Sequence, residues 1–192
     1  MLASFGDLHA FEPDDLARAV ACAKGVGRVV AGGLPHALPA ALERVDLICA
    51  FDVLEHIDDD RAAAAALAQR LAPGGHLLVT VPAYRWLWSR HDDAVAHKRR
   101  YTRGELRRVL RGAGFEVRRC SYFNSLLFAP IAAVRLGRRL LGREDDGTRE
   151  MALPGPFLNR LLYRIFAFER CLLARVDLPF GVSLLAVARK PA

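Results

Sequence analysis

Between positions 91 and 101 the chain gathers side chains able to move protons or hold anions, among them His91, Asp92, His97, Arg99, Arg100 and Tyr101. Two imidazoles beside two guanidiniums suit a clamp for an acidic or phosphate-bearing acceptor, because a guanidinium grips such oxygens in pairs. The same histidines and Tyr101 would equally brace this loop against the helix that follows. A His-x5-His spacing with one Asp also suggests a metal, but no convincing third ligand accompanies it, and none is expected. Upstream, His56 can serve as a base or orient an acceptor, or it can be a helix-start histidine bonded to nearby backbone. Its neighbour Glu55 reads as a local hydrogen-bonding partner. Trp88, with Trp86 and Tyr84 close by, either lines an apolar acceptor pocket or packs over the end of a sheet.

The elements that must position these groups alternate short apolar runs with helical patterns, the signature of an α/β domain with a mostly parallel sheet. Leu8–Phe11 reads as a strand ending at Glu12-Pro13. Asp14 and Asp15 then lead a helix with Leu16, Ala19, Val20 and Ala23 on one face, closed by Gly25 and Gly27. Arg28–Ala31 and Val45–Phe51 are the next strands. Asp58, Asp59 and Asp60 favour a helix start, Ala62–Leu71 is a strong helix former, and Pro73-Gly74-Gly75 stops it. His76–Val81 is then a fourth strand. Thr102 with Glu105 forms a capping box for a helix with Leu106, Val109, Leu110 and Ala113 inward, ended by Gly112 and Gly114. Phe115–Cys120 is a strand near the sheet edge, and Ser183–Arg189 is the last. The roughly sixty residues between these two strands are too many for a bare loop. They should hold a helix over about Leu126–Leu141, with Pro130 starting or kinking it, and a second carrying Leu158, Leu161, Leu162, Ile165, Phe166, Leu172, Leu173 and Val176 as its stripe. Gly142–Pro156 separates the two. The chain is therefore expected to be one domain, with 1–122 and 180–192 as α/β core and 123–179 as a helical insertion or lid.

Composition narrows the classes. The chain has 192 residues, 53% of them hydrophobic and 26% charged, which is globular and long enough to bury a core without staples. Cys22, Cys49, Cys120 and Cys171 show no CxxC pairing and sit in apolar runs, as small hydrophobes in a reduced setting do. No signal peptide or membrane-spanning run is evident, so a cytoplasmic chain, at most peripheral to a membrane, is expected. A net charge of +7 could steer a polyanion. The arginines, however, collect at 99–119 and 135–175 without zinc-finger or RNP-type patterns, which does not favour nucleic acid.

The run Phe51-Asp52-Val53-Leu54-Glu55-His56-Ile57, followed by Leu71-Ala72-Pro73-Gly74-Gly75 and the apolar strand to Val81-Pro82, resembles class I S-adenosylmethionine-dependent methyltransferases. His91-Asp92 with Ala96-His97-Lys98-Arg99-Arg100-Tyr101-Thr102 is similar to a bacterial subgroup that often carries glycine where this chain has Ala96. The resemblance spans nearly the whole chain and implies a Rossmann-like, mostly parallel sheet with an antiparallel last strand. It also implies S-adenosylmethionine at the carboxyl ends of the strands. By position it gives Glu12 to the ribose hydroxyls, Gly33 and Leu34 to the adenine, and Phe51, Asp52 and Val53 to the adenosine and sulfonium. His56, His91 and His97 become candidate catalytic groups, and Arg99, Arg100, Tyr101 and Trp88 candidate acceptor contacts.

One departure is large. The family's first strand and its glycine-rich loop should precede Leu2, and Gly25-x-Gly27 and Gly32-Gly33 do not stand between a strand and a helix at the front of the fold. The expectation is an N-terminally truncated fold, from a misplaced start or a fragment. A missing central strand would leave backbone groups unpaired unless its two neighbours pair directly. Three functions follow from these residues. The first is methyl transfer to a small-molecule or lipid-linked acceptor, impaired if the opening motif is truly lacking. The second is a non-catalytic module that binds a membrane surface or protein partner through its basic amphipathic helices. The third, a nicotinamide enzyme, needs a Gly-x-Gly-x-x-Gly turn that the chain does not have.

Overall fold

A computed structural model describes residues 4, 6–25, 27–39, 44–141 and 155–192. β1 (His9–Glu12) and β2 (Arg28–Ala31) pair in parallel across α1 (Asp15–Ala23). Asp14 starts α1 by accepting from the Ala17 amide at 2.7 Å, which satisfies one of the orphan donors of the first turn. The expected inward face of α1 is not covered: no residue of the helix is buried, and Leu16 and Val20 are exposed. Two short strands are the only elements beneath it among the described residues, too narrow a platform to hide the stripe.

The main sheet has the order β3-β4-β6-β5, built from β3 (Val45–Phe51), β4 (Leu71–Pro82), β5 (Glu116–Phe123) and β6 (Ser183–Arg189). β3 and β4 are parallel, and β6 runs antiparallel to both β4 and β5. The mostly parallel order expected from the sequence thus holds in the strands before β5, and the antiparallel last strand is as expected. β4 is longer than the sequence suggested. Pro73-Gly74-Gly75 does end the preceding helix, but the chain stays in the sheet with a register shift against β3 between Val45 and Leu47. A Cβ on Gly75 would sit 2.9 Å from the Ala72 carbonyl oxygen and 3.2 Å from that of Asp46, so only glycine passes there.

β1 and β3 do not pair directly, as they would if they closed on each other; they lie in separate sheets. The small sheet is tied in by side chains instead. Leu34, in the loop after β2, packs against the main core, and Arg70 donates to the Leu38 carbonyl at 3.3 Å.

α2 (Asp60–Arg70) begins on an Asp59 cap, and its Ala63, Ala64 and Leu67 enter the core with Leu77, Val79 and Val81 of β4. After α3 (Arg90–Ala94), α4 (Arg103–Gly112) opens on the expected capping box of Thr102 and Glu105 and buries Leu106, Val109 and Leu110. Gly114, at φ +87°, turns the chain into β5. Between β5 and β6 stand α5 (Phe128–Leu140), with Pro130 in its first turn, and α6 (Pro156–Leu173). Most of the separator expected at Gly142–Pro156 lies outside the described residues. Half of the stripe expected on α6 is uncovered: Leu158, Leu161, Phe166 and Val176 are exposed, Leu162, Ile165, Leu172 and Leu173 are half-buried, and Glu169 is the helix's fully buried residue, because α6 meets the sheet mainly along β5 among the described residues. Glu169 holds the entry to α5 by accepting from the Ser125 and Leu126 amides at 2.9 and 3.2 Å. Of the cysteines, Cys120 is buried as expected, whereas Cys22 and Cys171 are exposed. Among the described residues, no helix is long and apolar enough to cross a membrane.

Candidate functional site

A cavity of about 360 Å³, within the range of small-molecule sites, opens beyond the ends of β3 and β4. Asp52, Glu55, His56, His91, His97 and Arg100 line it. Two backbone devices shape its floor. Asp52 leaves β3 in the left-handed region at φ +52°, held there by its amide donating to the Thr80 carbonyl at 3.0 Å and by the Thr80 hydroxyl donating to its carboxylate at 3.1 Å. The chain then makes a single 3-10 turn, Leu54–His56. Across from it, the loop after α3 is pinned at both ends. The Lys98 amide donates to the Glu55 carbonyl at 2.7 Å, and Tyr101 and Ala83 bridge in parallel beside β4. Ala96 sits at φ +56°, which supplies the physical reason why glycine suits that position.

At the centre is Asp92, fully buried. Arg100 grips it in bidentate fashion, Nε to Oδ1 at 2.7 Å and Nη2 to Oδ2 at 2.9 Å, and spends Nη1 on the Ala83 carbonyl at 3.0 Å. The Ser89 amide donates to Asp92 at 2.8 Å, and His97 Nδ1 lies 2.8 Å from its Oδ1. Burial works to raise the Asp92 pKa, but the bonds from Arg100 and His97 outweigh it and hold the carboxyl below its ordinary range. An ionised carboxylate can only accept, so His97 donates to it from Nδ1 and turns its Nε2 to the cavity.

That Nε2 lies 3.9 Å from Glu55 Oε1. Glu55 is fully buried, and neither of its side-chain oxygens has a hydrogen-bond partner. The local hydrogen bond expected of Glu55 is therefore not made by its carboxyl, and its backbone carbonyl accepts from the distant Lys98 amide. Burial foremost, with Asp52 adding to it, pushes its pKa up to about 8. His56 meets His97 edge-on at 4.7 Å between ring centres, and His91 stands at 6.4 Å from His97 with a buried, unpartnered Nδ1. Burial, and then the charge of His97, lowers the His56 pKa, against backbone bonds to Ala96 and Val95.

The structure thus gathers His56, His91, His97 and Asp52 around one cavity, and gives the basic loop residues other tasks. Arg99 donates to the Ile57 and Asp58 carbonyls and pairs with Asp60 at 3.0 Å. The Tyr101 phenol is buried and donates to Asp60 at 2.9 Å, and Arg100 is spent on Asp92. These three side chains brace the loop, one of the two roles the sequence allowed Tyr101, and both arginines are engaged by carboxylates of the chain itself. Trp88 donates to Asp93 at 3.0 Å, while Trp86 packs edge-on against Phe128 of α5. Glu12 and Gly33 sit at the ends of β1 and β2, outside this cavity. Phe51 is exposed at the end of β3, and Leu34 and Val53 pack against the core. One lining residue, Arg135 of α5, had no local signal in the sequence.

Residues 5–119 match the family described as methyltransferase domain. Among solved structures, the chain is similar to the putative methyltransferase bound to the Trm112 methyltransferase activator of Haloferax volcanii: 20% identity, TM-score 0.61, covering 97% of this chain and 73% of that one. It is also similar to a putative methyltransferase of Bacillus halodurans, with 18% identity and TM-score 0.61 over 97% of this chain and 84% of the other. A third likeness is to a phosphoethanolamine N-methyltransferase of Haemonchus contortus in complex with S-adenosyl-L-methionine. There the identity is 15% and the TM-score 0.57, over 96% of this chain and 43% of that one. At these identities the likeness is one of fold. No curated protein matches the chain in sequence.

Proposed function

The chain belongs to the methyltransferase domain family, and we propose that it is an S-adenosylmethionine-dependent enzyme that methylates a small-molecule or lipid-linked acceptor seated in the cavity beyond β3 and β4. The observation that carries this reading is the position of Asp52. The residue that the resemblance sets beside the sulfonium lines the same cavity as His56, His91 and His97.

S-adenosylmethionine fits the loop after β3 through its adenosyl half. Phe51 leaves an apolar ring uncovered, Asp52 is held in a left-handed turn with its carboxylate at the cavity, and Glu12 puts an acceptor at the end of β1. Among the described residues, no glycine-rich turn between a strand and a helix serves the amino-acid half. When bound, the group supplies an electrophilic methyl on a cationic sulfur. The chain's own task is to orient an acceptor toward it and to hold or take the acceptor's proton. His91, with its unpartnered Nδ1, is the candidate base, and the Asp92-held His97 and His56 orient the acceptor.

The uncovered apolar residues of α5 and α6 support a lipid-linked acceptor delivered at a membrane surface. Leu140, Phe157, Tyr163 and Phe168 are exposed on helices that also carry Arg138, Arg160, Arg164 and Arg170. The same feature favours the second reading, a non-catalytic module that binds a membrane through these helices.

Calorimetry with S-adenosylhomocysteine and sedimentation with anionic vesicles separate the two readings. The enzyme reading expects cofactor binding by the full-length protein that weakens in Glu12→Ala and Asp52→Ala. Vesicle binding with no affinity for S-adenosylmethionine or S-adenosylhomocysteine would refute it in favour of the module.

A further inference from the structure

We infer that Glu55, His56 and His97 form a site for a single divalent transition-metal ion of the zinc class, with one coordination position left open toward the cavity. Each of the three offers one ligand atom, and these atoms all lie within 4.8 Å of one another. Ligands at about 2.0–2.2 Å from a shared ion stand at most about 4.4 Å apart. The 3.9 Å between His97 Nε2 and Glu55 Oε1 already satisfies that, and a pair at the 4.8 Å bound would have to close by only about 0.4 Å.

Two further observations point to a cation here. The first is Glu55 itself. A carboxyl group that is fully buried with both oxygens unpartnered is costly, and such a group in a native fold asks for an explanation. An ion lodged between Glu55 and the two imidazoles supplies the missing partner. The second is the support behind His97. Metal-binding histidines generally donate their other ring nitrogen to a carboxylate, which fixes the tautomer and aims the lone pair. His97 does this to Asp92 at 2.8 Å, and Asp92 is locked in turn by the bidentate Arg100 and the Ser89 amide. The imidazole is therefore rigidly presented with Nε2 toward Glu55.

Donor chemistry selects the ion. Two imidazoles and one carboxylate suit zinc and its neighbours, whereas magnesium and calcium prefer all-oxygen sites. Three protein ligands leave a place for water or an acceptor oxygen, the pattern of reactive rather than structural zinc sites. The ligand set joins the 3-10 turn after β3 to the loop after α3, so neither segment carries it alone.

The test uses the full-length protein stripped of metal with a chelator, titrated with Co²⁺ under visible absorption and with Zn²⁺ by calorimetry. One ion per chain is expected, with Zn²⁺ displacing Co²⁺ and Mg²⁺ failing to compete. Glu55→Gln keeps the shape of a side chain that has no partner to lose, so it should fold normally by circular dichroism yet bind at least about 100-fold more weakly; His56→Ala should do the same. Asp92→Asn should weaken binding by about 10–100-fold through His97. His76→Gln, on an exposed imidazole of β4, should change nothing. Absence of saturable Co²⁺ and Zn²⁺ binding overturns the proposal, as does binding that survives both Glu55→Gln and His56→Ala, or that falls equally in His76→Gln. Because the readout is the metal itself, the result stands apart from whether the protein transfers methyl groups.

Discussion

The Asp92–Arg100 pair offers the sharpest quantitative test of how this loop is held. The side chains are 0% and 3% exposed, so solvent screens their attraction little. Replacing Asp92 with Ala strips Arg100 of both carboxylate bonds and leaves a buried guanidinium whose remaining contact is the Ala83 carbonyl. Removing one partner of such a pair costs about 3–5 kcal/mol, mostly the price of the stranded charge. For a chain of this size that corresponds to a drop in Tm of about 6–20 °C, and to a large part of a typical folding free energy of about 5–15 kcal/mol. Equilibrium urea unfolding followed by circular dichroism, with a thermal scan alongside, reads both quantities. The double variant Asp92→Leu/Arg100→Met removes the charge together with its partner and should recover most of the loss, short of about 1 kcal/mol for the Ser89 cap that Asp92 also serves. If Asp92→Ala costs less than about 1 kcal/mol, or if the double variant is no more stable than the single one, the pair is not the brace described.

Other tests address the supports around it. Leu110→Ala, at a fully buried position of α4, should cost about 2–5 kcal/mol in the same urea assay, since the sheet beneath cannot collapse into the space. Thr102→Ala removes the cap that accepts from the Glu105 amide and should cost about 0.5–2 kcal/mol. Burial pushes the Cys120 thiol above its ordinary pKa, so the fold disfavours its thiolate. The stability this gives is complete below the unfolded thiol's pKa and is lost as pH rises through the folded value. In native protein a thiol reagent should therefore label Cys22 and Cys171 quickly, with Cys120 reacting only on unfolding, as mass mapping of labelled peptides would show.

What local chemistry dictates was readable along the chain. The Thr102–Glu105 capping box, the Asp14 and Asp59 caps and the glycine exits rest on interactions within a few residues, the strands at Arg28–Ala31, Val45–Phe51 and Ser183–Arg189 on runs of β-branched and aliphatic residues, and all stand where that local chemistry places them. The covering of faces was not readable in this way. Leu16 and Val20 have a sound helical period, but whether they are buried depends on how wide a layer lies beneath, and here that layer is only two strands. The site depends on closure over a similar distance. Glu55 reads as a local hydrogen-bonding partner until Lys98 docks on its carbonyl and the loop after α3 brings His97 against it. Likewise nothing in the order Asp92, His97, Arg99, Arg100 distinguishes the arginine that locks Asp92 from one that grips a substrate. Side-chain type and spacing set which interactions a segment can form; which of them are made, and which groups are left facing the cavity, follows from contacts between residues some forty positions apart, whose geometry exists only once the sheet has formed.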